Sequence, residues 1–368
     1  MRFLILLLAG VILSGPAVAQ TKKTTAKPPA RPTAGQPYVL GTKQLPGEFG
    51  KIGQEYTIGV NNPINITLRS AAYLVDRVFL DTIGEGKITW FPAAGKKFLR
   101  LDLIIKNSDP RQRETGAGLA FTVVDANDEN RQSHLVLNAR NGAEMRTGLK
   151  PGQAVEVFTL LEVPSEGEVP KLIVQREDGA AVVRYDLRGK AAPLPNWAGE
   201  GANARDRIDG VRDALHPAHH FDIGLRGLEW SKEVPDGDPP VEGERVLIAH
   251  LTFRAATGGV GLNFATFLTT VKTADGEEIV RDAPGGTGGF LTEKRNDSYA
   301  ATPEKGEIIR TRVFFRLKEG NEGAAPKTLT IKDEASQRTF RFEISDQDWF
   351  SIRDCVRDLR TGQAIVQP

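Results

Sequence analysis

The chain has 368 residues, with 48 Lys and Arg against 47 Asp and Glu, a formal charge of +1. That balance excludes the basic excess of a nucleic-acid binder. One Cys and two Met exclude an intrachain disulfide framework, a Cys-based zinc site and an iron–sulfur cluster.

The N-terminus reads as a secretory signal. Arg2 supplies the positive end, Phe3 to Leu13 the apolar stretch, and Ala17-Val18-Ala19 the small-x-small cleavage site before Gln20. The apolar stretch falls well short of the ~20 residues that span a bilayer, so no membrane span is expected. An exported protein, periplasmic, cell-surface or secreted and of bacterial type, is the expectation. Thr21 to Lys43 then carries Lys22, Lys23, Lys27, Arg31 and Lys43 with no acid, among Pro28, Pro29, Pro32 and Pro37. Such a stretch cannot bury a core and is expected to be a disordered spacer.

Short strands dominate the remainder of the chain. Leu99, Leu101, Leu103 and Ile105 alternate with polar residues, as do Leu247, Ala249, Leu251 and Phe253, each pair 148 positions apart. Val155, Val157, Leu161 and Val163 match Ile309, Thr311, Phe315 and Leu317 at an offset of 154. The closing strands Val183-Arg184-Tyr185-Asp186-Leu187 and Phe340-Arg341-Phe342-Glu343-Ile344 match at 157, as do Ile66 to Arg69 and Ile223 to Arg226. Offsets change only across Gly-, Pro- and Asp-rich stretches, where insertions are tolerated. The reading is an internal duplication of a seven- or eight-stranded antiparallel sandwich.

Gly95 opens an alternating strand that ends at Asn107, Asp125 to Glu129 reads as a hairpin turn, and Lys150-Pro151-Gly152 precedes the strand that ends at Val163-Pro164. These features resemble the telokin-like, immunoglobulin-like domain of exported bacterial proteins. The resemblance implies a β-sandwich binding module with no catalytic residues to carry over. The second copy departs from it, with Ala255 in place of Asn107, Glu304-Lys305-Gly306 in place of Lys150-Pro151-Gly152, and Lys318 in place of Pro164.

Two segments carry helical spacing: Ile208, Val211 and Leu215, and then Trp349, Ile352, Val356 and Leu359. The expected layout is a signal peptide over 1–19, a spacer over 20–50, a first sandwich over 51–190 and a linker with a short helix over 191–215. A second sandwich over 216–345 and a helical tail over 346–368 complete it. The tail is expected either to clasp the second sandwich or to dock a partner, with Cys355 then placed to cross-link two chains.

Candidate chemistry is sparse. His216, His219 and His220 supply three nearby imidazoles, but Pro217 opposes the helix on which a zinc site would space them. Asp125, Asn127 and Glu129 begin a calcium-loop pattern that fails at Asn130 and Val136, so the turn reading is preferred. Gly285 to Gly289 lacks the Lys-Ser/Thr of a phosphate loop. No catalytic, cofactor or metal residues are assigned. Trp90, expected on an inserted loop from Asp81 to Ala94, is the main candidate for stacking on a sugar, with Trp197 second. The expected function is non-catalytic binding or scaffolding, with an envelope protein or polysaccharide as partner. The alternatives are a carbohydrate-binding module, for which Trp90 would be necessary, and a hydrolase or metal-dependent enzyme built on the histidines or on an unidentified carboxylate pair.

Overall fold

Alternation of apolar and polar side chains organises the chain into strands. The computed structural model describes residues 48–59, 63–82, 86–112, 118–145, 148–176, 182–233, 239–262, 266–281, 290–292, 302–320, 325–345 and 355–366. All of them belong to one unit, Tyr38–Pro368. The signal sequence, most of the spacer, Gly285 to Gly289, Trp349 and Ile352 lie outside the described residues.

The first half contains β1 (Glu55–Ile58), β2 (Ile64–Leu74), β3 (Val78–Thr82), β4 (Gly86–Trp90), β5 (Lys96–Lys106), β6 (Leu119–Val124), β7 (Asn130–Ser133), β8 (Leu137–Asn138), β9 (Ala154–Pro164), β10 (Lys171–Arg176) and β11 (Val183–Asp186). They form a sheet ordered β1-β2-β5-β9-β8, a second ordered β11-β10-β6-β7, and the separate hairpin β3-β4. Leu68, Leu101, Leu103 and Val157 of the first sheet meet Phe121, Leu172, Val174 and Tyr185 of the second in one core. Burying each large apolar side chain contributes about 1.5–3 kcal/mol, and the sandwich rests on that core.

A small hairpin, β12 (Gly199–Glu200) and β13 (Asn203–Ala204), comes next in the chain. Lys97 of β5 is fully buried beneath it and donates to the carbonyls of Ser165 (3.1 Å), Gly167 (2.6 Å) and Ala202. Those three acceptors match the three donors of an ammonium. The Tyr73 ring lies 4.6 Å from Nζ. Burial pushes this lysine down to about 8, with partial relief from the charge of Glu168.

The second half contains β14 (Arg207–Asp209), β15 (Ala214–Pro217), β16 (Phe221–Ser231), β17 (Glu244–Ala255), β18 (Phe267–Thr273), β19 (Glu278–Val280), β20 (Phe290–Thr292), β21 (Ile308–Lys318), β22 (Pro326–Asp333), β23 (Arg338–Glu343), β24 (Cys355–Asp358) and β25 (Ala364–Val366). One sheet runs β20-β21-β17-β16-β15-β24-β25 and the other β14-β23-β22-β18-β19. Leu251, Phe253 and Phe315 meet Val271, Leu329 and Phe340 in a second core.

The pairing register of the two halves follows the sequence offsets. Leu101 lies between Ala71 and Thr159 in its sheet, and Ala249 lies between Leu228 and Val313. Tyr185 pairs with Leu172, and Phe342 with Leu329. The register slips at Arg69 between β2 and β5, and at Arg226 between β16 and β17. A bulge bends and twists its strand, so the two long sheets are deformed at matching positions.

Both expected helices are corrected where they are described. Ile208 sits in β14, parallel to β23 and opposite Phe340, while Leu215 sits in β15. Between them Val211 is 52% exposed, which breaks the supposed apolar stripe. A side chain at Gly210 would collide with the Phe342 ring, so the chain runs flat across it, where a helix would not fit. At the C-terminus, β24 pairs antiparallel with β25 and parallel with β15. Val356 and Asp358 are buried and Arg357 is exposed, a period of two that belongs to a strand. Leu359 follows, half-buried, in the turn. These parallel pairings also modify the purely antiparallel expectation, and β14, in the stretch expected to be a linker, pairs with β23.

Candidate binding cleft

Hairpin β3–β4 has two chemically different faces. Its register pairs Val78 with Trp90, Phe79 with Thr89, Leu80 with Ile88 and Asp81 with Lys87. Leu80, Ile88, Val78 and Trp90 face inward onto Phe98, Leu137, Phe158 and Leu160, an apolar cluster on the outside of the first sheet. Phe79, Thr89, Asp81 and Lys87 therefore face the other way. Asp81 is hydrogen-bonded through its backbone to Gly142 (3.0 Å) and Glu144 (2.8 Å), which fixes the hairpin laterally.

This outward face forms one wall of an open cleft of about 900 Å³. The opposite wall comes from the second half: His219 and His220 between β15 and β16, Ala256 to Gly258 after β17, and Lys305 ahead of β21. Phe79 is 41% exposed, with Lys305 Nζ 5.7 Å from its ring centre.

The histidine wall is held by hydrogen bonds and ring contacts. The His219 backbone N–H donates to Asp333 Oδ2 at 2.9 Å, and its ring lies 5.5 Å from Phe91. The His219 and His220 rings meet edge to face at 3.9 Å. Nδ1 of His220 shares a hydrogen bond of 3.2 Å with Thr257 Oγ1. Burial lowers both imidazoles. In His220 the neighbouring His219 and Arg77 add to that effect and bring it to about 4, so this wall is neutral at neutral pH.

Behind the cleft a buried ion network joins the halves. Asp222 accepts from Arg77, from Arg254 Nε (3.0 Å) and from Arg360 Nη2 (2.7 Å). Asp358 accepts from Arg254 Nη2 at 2.6 Å, and Arg360 reaches Asp76 at 3.3 Å. Three carboxylates thus meet three guanidiniums drawn from the first half, the second half and the C-terminal hairpin. Burial would raise Asp358, but its bonds to Arg254 and Arg360 hold it at about 2. Alongside, Arg338 bonds Pro217 O at 3.1 Å and also Val75 O, and stacks 5.0 Å from Phe91.

The structure separates the residues singled out in the sequence. Trp90 lies on a strand, half-buried against Phe98 at 4.8 Å, and turns away from the cleft. Its location on an inserted loop is therefore corrected: the hairpin aromatic that faces the cleft is Phe79. Trp197 packs half-buried against both cores, as a wedge between the halves. His216 parts from its neighbours: it is fully buried, 5.8 Å from Phe340 and 5.6 Å from Phe342, and accepts from Val211 N–H at 3.0 Å. Among the described residues no group of three or more His, Cys, Asp or Glu is placed to hold a metal ion. In the Asp125 turn, Oδ1 accepts from the N–H groups of Asn127 (2.9 Å) and Glu129 (3.0 Å), while Arg131 Nε reaches Oδ2 at 3.0 Å. The carboxylate is occupied in holding the turn.

No protein-family model matches the chain, and no curated protein matches it. Among solved structures it is similar to an uncharacterized β-sandwich protein from Clostridium difficile 630, at 10% identity and a TM-score of 0.29. That match covers 39% of this chain and 99% of the other. No helix among the described residues is long and apolar enough to cross a membrane.

Proposed function

We propose that this chain is an exported, non-catalytic binding protein built from two duplicated immunoglobulin-like sandwiches, and that the cleft at their seam is its ligand site. The duplication is supported by the shared register and by bulges at Arg69 and Arg226 in the same strand position. Export rests on Arg2, the apolar stretch and the Ala17-Val18-Ala19 pattern. The observation that carries the binding reading is the outward face of hairpin β3–β4. It presents a part-exposed aromatic ring and polar groups to a wall fixed by the second half. Ligand sites favour such concave junctions with a few placed polar groups. A carbohydrate ligand is the second reading, favoured by Phe79, whose exposed ring offers the stacking surface that Trp90 does not.

Filling the cleft tests the reading. Thr257→Trp places an indole in the cleft, and Val241→Trp alters a position that is 63% exposed and outside it. Immobilised wild type and Val241→Trp should retain the same envelope component, and Thr257→Trp should lose it at an unchanged melting temperature. Equal retention by all three would refute the cleft as the site.

A further inference from the structure

The ligand class can be argued from the charges in the cleft, given that the cleft is the binding site. Lys87 and Lys305 approach it from opposite walls. Among the described residues neither has a carboxylate within ion-pair distance, and the one further electrostatic contact of either is the Phe79 ring, whose centre lies 5.7 Å from Lys305 Nζ. Asp81, opposite Lys87 in the hairpin ladder, is the acid among the described lining residues. The histidines on the far wall are held neutral. Two ammonium groups against one carboxylate leave the described lining of the cleft with a net positive charge.

The other lining groups specify more than an anion. Phe79 offers an apolar ring face flanked by Thr89 in the same ladder, and Asn141 and Thr257 complete a rim of amide and hydroxyl groups. Thr257 holds His220 Nδ1, which leaves Nε2 of that imidazole as a further polar atom on the rim. A ligand that fits must have a flat apolar face, several hydroxyls around it and a negative charge at its edge. A pyranose with a carboxylate has all three: its axial C–H face stacks on an aromatic ring, its hydroxyls pair with amide and hydroxyl groups, and its carboxylate pairs with ammonium.

We infer that the cleft binds an acidic saccharide of the uronic-acid class, with Phe79 as the stacking platform and Lys87 and Lys305 as the carboxylate partners. The inference rests on the cleft reading above, and its test separates the two. Trigalacturonic acid and its fully methyl-esterified form share the sugar backbone and its ring hydroxyls and differ at the carboxyl groups, ionised in one and capped as neutral esters in the other; both are titrated calorimetrically into the full-length protein.

The acid should bind wild type at least tenfold more tightly than the ester, and raising the salt should narrow that gap. Lys87→Gln combined with Lys305→Gln should weaken the acid at least tenfold and leave the ester unchanged. Phe79→Ala should weaken both, and because the ring lies on the outward face no core packing is lost with it. Lys87→Arg combined with Lys305→Arg should restore affinity for the acid. Equal affinity for acid and ester, indifference of the acid to the double Gln variant, or no binding of the acid at all would overturn the inference. The Thr257→Trp capture experiment would still judge the cleft independently.

Discussion

Replacing Asp222 by Asn tests whether the buried ion network holds the two halves together. The wild-type network is balanced: Asp76, Asp222 and Asp358 against Arg77, Arg254 and Arg360. Asp222→Asn would leave three guanidiniums facing two carboxylates and would turn an amide donor toward groups that only donate. Asp222 is almost completely buried, so water cannot take over the lost interaction. Removing one partner of a buried ion pair costs about 3–5 kcal/mol. At about 2–4 °C per kcal/mol, the value for a cooperative unit of about 150–250 residues, the melting temperature should fall by about 6–20 °C. The assay is thermal and urea unfolding in parallel, at low and at high salt. Screening acts weakly on buried charges, so the difference from wild type should persist at high salt. Asp209→Asn, which alters an exposed pair with Arg205, should leave the midpoint where it is. A loss below about 1 kcal/mol at Asp222 would show that the network contributes no net hold, and the argument would fail.

Two further outcomes are expected from other parts of the fold. Burial lowers His216 from 6.5 to about 4, so its contribution to stability is full above pH 6.5 and is lost as the pH falls toward 4. That contribution amounts to about 3 kcal/mol, and His216→Gln should flatten the stability profile across this window; an unchanged slope would contradict the assignment. Gly142 has φ of +69°, and a Cβ there would press into the Phe79 carbonyl, whereas Gly95, at +71°, has open space. Each Ala substitution should cost about 1–3 kcal/mol of backbone strain. Gly142→Ala should lose more than Gly95→Ala and should also weaken ligand capture, because it displaces the hairpin that carries Phe79. Equal losses in urea unfolding would show that the hairpin accommodates the methyl group.

The parts of this fold that are legible in the sequence are those that depend on period two. Leu99, Leu101, Leu103 and Ile105 lie on one buried face of β5 because alternation along an extended chain leaves no other choice. The helical expectations fail for the complementary reason. Three or four apolar residues at spacings of three and four do not fill enough turns to distinguish a helix from strands broken by a bend. Ile208 and Leu215 are both buried, on separate strands, with Gly210 passing over Phe342 between them. In the cleft, the sequence offers Trp90 and Phe79 eleven positions apart, and only the register of the hairpin decides which faces inward. The ion network is not legible at all. Asp76, Asp222 and Arg360 are ordinary charged residues among 95, and their convergence is a product of tertiary packing.

Asp76 and Arg360, which meet in that network, are 284 positions apart in the chain. Closing so long a loop carries an entropic cost that hairpin pairing does not, and contacts of this kind are among the last to form. Each half can collapse on its own local strand pairs before the C-terminal hairpin arrives. A network that forms after that stage is absent from the folding transition state and present in the native state. Interactions distributed in that way slow unfolding and leave the folding rate almost untouched. The six charges therefore govern how long the finished protein lasts among proteases, where resistance depends on how rarely the native state opens.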